Sequence, residues 1–179
     1  MTHSILSLIS LISLISLILS STCVEAKKIT PVTCHSIIKL RHKVTKYYLH
    51  SHEVQYGTGS GQQSVTTVSS PSDVNSYWII KPSFGSDGKD CLPGSALKDG
   101  AKIRLQHVQT KKFLHSHKFK SPLSGQQEVS CLEPLNTGDD WIIALESKKE
   151  WIQGEELRLY HVDTKKYLHS HKHMFGYPI

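Results

Sequence analysis

One phrase, written three times, constrains this chain more than any other feature in it. Ile38-Lys39-Leu40-Arg41-His42, then Thr45, then Tyr48-Leu49-His50-Ser51-His52 returns as Ile103-Arg104-Leu105-Gln106-His107, Thr110 and Phe113-Leu114-His115-Ser116-His117. It returns again as Leu157-Arg158-Leu159-Tyr160-His161, Thr164 and Tyr167-Leu168-His169-Ser170-His171, at spacings of 65 and then 54 residues. The first two copies run on together, through Gly61-Gln62-Gln63 and Gly125-Gln126-Gln127 to the aromatic closings Tyr77-Trp78-Ile79-Ile80 and Asp140-Trp141-Ile142-Ile143. A unit this short cannot bury its apolar face alone, so the copies must share a core.

Each copy reads as strands. Ile38, Leu40 and His42 alternate with Lys39 and Arg41, which puts apolar residues on one face of an extended segment. The residues between His42 and Tyr48 suit a hairpin turn, and Leu97 with Gly100 and Trp151 with Gly154 set an apolar strand and a turn before the second and third copies. Strong helix patterns are absent. Three four-stranded units predict an all-β chain, a β-trefoil with copies at about 29–82, 92–146 and 148–179; a three-bladed propeller would be too small to close. Trp78 and Trp141 are expected in its core. The 179 residues, 38% hydrophobic and 20% charged, fit one such core and argue against a large multidomain enzyme, a disordered chain or a polytopic membrane protein.

Residues 5–19 are Ile and Leu broken only by serine, shorter than the roughly 20 residues that span a bilayer, and Val24-Glu25-Ala26 follows as a small-residue cleavage pattern. The expectation is a signal peptide over 1–26, a mature chain beginning near Lys27, and no membrane span after cleavage. Entry into the secretory pathway argues against a nucleic-acid partner despite the net charge of +6. It also leaves Cys34, Cys91 and Cys131 in an oxidising compartment, where at most one pair forms a disulfide; spacing does not choose the pair.

The Leu-His-Ser-His phrase, the Gly-Gln-Gln and the closing Tyr-Trp resemble the MIR domain, the β-trefoil module of protein O-mannosyltransferases and of inositol-trisphosphate and ryanodine receptors. With a leader directly before the copies, and with Tyr56-Gly57-Thr58-Gly59-Ser60-Gly61 in the first, the chain resembles the stromal cell-derived factor two family. That resemblance implies a noncatalytic protein of the endoplasmic reticulum lumen, with secretion as the alternative. It implies work beside a luminal J-domain co-chaperone and Hsp70, on O-mannosylated or misfolded client proteins, in glycoprotein quality control. It implies no cofactor. By the spacing of the second copy, the third glutamine pair would fall near 180 and the third Trp near 195, so a third copy cut short is expected.

Nine of the 12 histidines occupy repeat positions. His42, His107 and His161 follow the apolar face of their strands and are expected as hydrogen-bonding residues that fix the turn. In the Leu-His-Ser-His phrase, alternation sends Ser51 inward with Leu49 and leaves His50 and His52 on the other face, beside Tyr48. The candidate ligand-binding residues are therefore His50, His52, Gln62, Gln63, His115, His117, Gln126, Gln127, His169 and His171. Imidazoles and amides supply neutral donors and acceptors, and Tyr48, Phe113 or Tyr167 could cover a sugar face, which keeps a mannose-binding lectin as the alternative. Hairpin bracing is the other reading of the same residues. Metal is not expected, since no Cys or carboxylate recurs beside the histidine pairs; nor is catalysis, since Ser51, Ser116 and Ser170 lack an orienting acid. The lysines at the hairpin tips, Lys46, Lys111, Lys112, Lys165 and Lys166, are expected as solvated turn charge.

Overall fold

A computed structural model describes residues 29–121, 123–133 and 135–174. The expected leader lies outside them. The described chain is ten strands and two short 3-10 turns: β1 (Ile37–Ile38), β2 (Tyr48–Gln55), β3 (Gln63–Val68), β4 (Trp78–Pro82), β5 (Lys102–His107), β6 (Phe113–Lys120), β7 (Gln127–Leu132), β8 (Trp141–Leu145), β9 (Leu157–His161) and β10 (Lys166–Tyr167). The 3-10 turns, Val74–Ser76 and Thr137–Asp139, precede β4 and β8. No helix among the described residues is long and apolar enough to cross a membrane.

The strands pair as the repeat demands. β1, β4, β5, β8 and β9 are successive antiparallel staves of a barrel wall. β2 with β3 and β6 with β7 are hairpins laid across one end, joined where Gln63 and Ser64 of β3 face Cys131 and Ser130 of β7. The fold is β-trefoil-like. At the other end, the three segments that lead into the copies close a ring of main-chain bonds: Val32 N–H to Trp151 O (2.8 Å), Trp151 N–H to Leu97 O (2.8 Å) and Leu97 N–H to Val32 O (3.0 Å). Their side chains are buried and plug the barrel floor. Residues 65 and 54 positions apart can meet in such a ring only if the copies are related by rotation about one axis.

Period two places the core. Ile103 and Leu105 of β5, Ile80 of β4 and Ile143 of β8 point inward and are fully buried, with Trp78 and Trp141 beneath the hairpins. Each indole N–H donates to the main-chain oxygen of the Leu in its own Leu-His-Ser-His phrase, Trp78 to Leu49 (3.1 Å) and Trp141 to Leu114 (2.9 Å). A buried indole must keep such a partner, so this bond ties closing strand to hairpin in both copies. The hairpin tips also repeat: Lys46, Lys111 and Lys165 all adopt positive φ, at 63°, 64° and 58°, and each N–H bonds the carbonyl of the turn histidine.

Cys34 and Cys91 are disulfide-bonded, and Cys131 is a buried free thiol whose pKa burial pushes up to about 12. The one-bridge expectation is met, and the pair is the one spacing could not choose. The bond fixes the first lead-in segment to the loop between copies.

Candidate functional site

The turn histidines are built alike. Nδ1 accepts from the threonine hydroxyl three residues on, at 2.9 Å in His42, 2.9 Å in His107 and 2.7 Å in His161. In the later copies Nε2–H donates across a copy boundary, His107 to Asn75 O (2.9 Å) and His161 to Gly138 O (2.8 Å). Those carbonyls lie in the 3-10 turns of the preceding copies, so each histidine seats its neighbour's turn. The rings also pack on Trp78 and Trp141, with centroids 5.0 and 4.6 Å away. Burial lowers the pKa of both, and they are neutral donors at pH 7.

The second glutamine of each pair works the same boundary. Gln63 Nε2 donates to Ser51 Oγ of its own copy (2.8 Å) and to Thr110 Oγ1 of the next (2.9 Å). Gln127 Nε2 donates to Ser116 Oγ (2.6 Å) and, across the next boundary, to Thr164 Oγ1 (2.6 Å). The serine hydroxyls in turn donate to main-chain oxygens, Ser51 to Ser64 and Ser116 to Glu128, both at 2.7 Å. The first glutamines reach sideways: Gln62 Oε1 accepts from Ser130 Oγ (2.5 Å), and Gln126 Oε1 from His171 Nε2 (2.9 Å).

The Leu-His-Ser-His histidines differ from the sequence expectation. His50 and His115 do not stand on an open face; they are 6% and 5% exposed. The hairpin's second face is covered by the 3-10 turn that precedes the closing strand, which alternation along a single strand cannot reveal. His50 Nδ1 pairs with Thr66 Oγ1 at 3.0 Å, with Asp73 at 3.7 Å from Nε2; His115 Nδ1 meets the fully buried Asp139 at 3.0 Å. A carboxylate does therefore sit beside the first histidine in copies one and two. It arrives from different places in the turn, which is why no repeat in the sequence announced it. Asn136 and Asp139 hold that turn by a reciprocal capping box, the one sequence signal that could have found it.

His117 Nε2 lies 3.2 Å from buried Glu128, which also takes the Ser60 hydroxyl of the first copy. His52 is half-buried, and its Nδ1 is enclosed with no partner among the described residues. His169 is exposed and His171 half-buried. Beside the third copy lies a cavity of about 1280 Å³, whose lining includes Tyr47, His52, Gln126, Tyr167, His169 and His171. Of the ten candidates, His50, His52, Gln126, Gln127, His169 and His171 line this cavity, while Gln63 and His115 are committed to the packing. Sequence reasoning missed Glu128, Asp139 and the meeting of Cys34, His35 and Cys91, two of which form the disulfide.

The model of the MIR domain matches residues 48–150 of this trefoil-like barrel, whose copies are tied by His, Ser, Gln and Thr, and the chain is a MIR-domain protein. Beyond that class, the chain belongs to the stromal cell-derived factor 2 family. It is 50% identical over 156 residues to the stromal cell-derived factor 2-like protein of Arabidopsis thaliana, covering 85% of this chain and 70% of that one. The crystal structure of the Arabidopsis SDF2-like protein superposes with a TM-score of 0.78 at 49% identity, over 83% of this chain and 82% of that one. The fold is also similar to part of the S. cerevisiae protein O-mannosyltransferase Pmt1-Pmt2 complex bound to the sugar donor: TM-score 0.71, 33% identity, 80% of this chain and 21% of the other. The relatives bearing the family name are called factors, not enzymes.

Proposed function

We propose that this protein is a noncatalytic interaction module of the endoplasmic reticulum lumen, accessory to a J-domain co-chaperone and Hsp70 in folding and quality control of glycoproteins. The observation that carries the noncatalytic part is the state of the repeated hydroxyls. Ser51 and Ser116 donate to main-chain oxygens and accept from Gln63 and Gln127, so neither is presented to an imidazole as a nucleophile. Membership of the stromal cell-derived factor 2 family supports the luminal chaperone partnership. O-mannosylated or misfolded proteins are the clients under this reading.

A second reading has its own observation. His52 Nδ1 is an enclosed polar atom without a partner among the described residues, and His52 lines the large cavity together with Gln126, Tyr47 and Tyr167. Neutral hydrogen-bonding groups beside aromatic rings suit a mannose-type glycan, and the likeness to part of a protein O-mannosyltransferase supports that chemistry. The two readings separate in one experiment. The protein is used to capture partners from endoplasmic reticulum lumen, and the column is eluted with ATP and, separately, with mannose oligosaccharide. Hsp70 released by ATP and a J-protein retained, with nothing released by sugar, is the expected outcome. Release of glycoproteins by sugar alone would replace the adaptor with the lectin.

A further inference from the structure

His35 stands where the other copies place glycine. It follows Val32 by three residues, as Gly100 follows Leu97 and Gly154 follows Trp151, and Val32, Leu97 and Trp151 close the floor ring. The main chain repeats as well: His35 N–H donates to Ile80 O at 3.0 Å, and Gly100 N–H to Ile143 O at 2.8 Å. All three residues take positive φ, at 64° for His35, 80° for Gly100 and 85° for Gly154. Glycine adopts that conformation freely, whereas a residue with a Cβ is strained in it. Two copies use the permissive residue and the first holds an imidazole, and strain kept at one position points to a task for its side chain.

What the ring meets indicates the task. One ligand atom each from Cys34, His35 and Cys91 lies within 4.8 Å of the other two. Spacing in the sequence could not show this, because Cys91 arrives from the loop between copies, 57 residues from Cys34. The two Cα atoms are 5.4 Å apart, and the main chain anchors both cysteines, Cys34 N–H on Ser95 O (2.9 Å) and Cys91 N–H on Gly88 O (3.2 Å). Two thiolates and an imidazole are a zinc donor set. With Zn–S of about 2.3 Å and Zn–N of about 2.0–2.1 Å, tetrahedral ligand atoms stand about 3.6–3.8 Å apart, which rotation of the freed thiolate side chains provides.

We propose that His35, together with Cys34 and Cys91 in their reduced form, binds one zinc ion, so that zinc and the disulfide are alternative clips between the first lead-in segment and the loop between copies. An external dithiol gives two electrons and two protons to the Cys34–Cys91 bond and leaves as its own disulfide, and the chain gains two thiols. Zinc displaces those two protons and takes both thiolates and the neutral His35 ring, with water in the fourth position. Calcium and magnesium, which require oxygen ligands, do not compete. None of the three residues lines the hairpin cavity, so the site is independent of the chaperone and lectin readings.

The test compares two forms of the protein, both without a histidine tag: the oxidised form, and one treated with a phosphine reductant and desalted without oxygen, which carries two more thiols per chain. The reduced form is expected to bind one equivalent of Zn²⁺ that the oxidised form does not, and its thermal midpoint should rise when zinc is added. With Co²⁺ it should show thiolate-to-metal charge transfer and the visible bands of a tetrahedral site. His35→Gly, which installs the residue of the other copies, should weaken zinc at least tenfold while the oxidised protein keeps its thermal midpoint. Equal zinc binding by the two forms, a reduced chain that zinc neither binds nor stabilises, or parent affinity in His35→Gly would overturn the proposal.

Discussion

At the scale of single residues, identical letters in a repeat take unlike roles. Gln62 and Gln63 are neighbours on the page, yet Gln63 is buried and spends its amide on two hydroxyls from two copies, while Gln62 bonds Ser130 at the surface of the hairpins. Removing a buried donor strands its acceptors, at a cost of about 1–3 kcal/mol, whereas a half-exposed amide is replaced by water. Gln63→Ala should therefore destabilise the fold by about 2 kcal/mol and Gln62→Ala by less than about 1, read from urea midpoints at constant slope. Equal losses would remove the cross-copy tie from the account. His50 and His52 make the same point: two residues apart on one strand, the first is buried with its Nδ1 on Thr66, and the second is half-buried with an enclosed Nδ1 that has no partner among the described residues.

Among elements, the 3-10 turns do most of the joining. Thr137–Asp139 receives His161 Nε2 on Gly138 O from the following copy and places Asp139 on His115. It fits because position 138 has no side chain: a Cβ there would overlap the His115 ring and the Asn136 side chain. Gly138→Ala must push the turn off the hairpin, breaking the Asp139 contact and a buried carbonyl bond together. The expected loss is about 3 kcal/mol, with the His161 ring signal shifted in NMR; a variant as stable as the parent would mean that the turn is not a seat.

For the whole molecule, burial of imidazoles sets the response to acid. His50, His107, His117 and His161 have pKa values lowered chiefly by desolvation, so the unfolded chain binds protons at these sites more readily than the folded one. Stability is complete above the unfolded value of about 6.5 and falls as pH drops from there toward the folded values. Asp140, raised by burial, acts with the opposite sign, but in a window near and above pH 4. Thermal midpoints should be level between pH 7 and 8 and decline steadily from pH 6.5 to 5; a flat profile would show the rings to be solvated. Much of this architecture was legible beforehand. The threefold phrase dictated strands, the shared core and the burial of Trp78 and Trp141, because period-two alternation and a repeated unit admit few packings. The turn role of His107 and His161 followed from the same periodicity. The partner of each polar group did not: Cys34 with Cys91, Gln127 with Thr164, Glu128 with Ser60 and His115 with Asp139 lie 57, 37, 68 and 24 residues apart. Local sequence fixes which face a side chain takes, since that depends on backbone period alone. Only the rotation of one copy onto the next decides what waits on that face, and hence which histidines are sealed and which stay exposed.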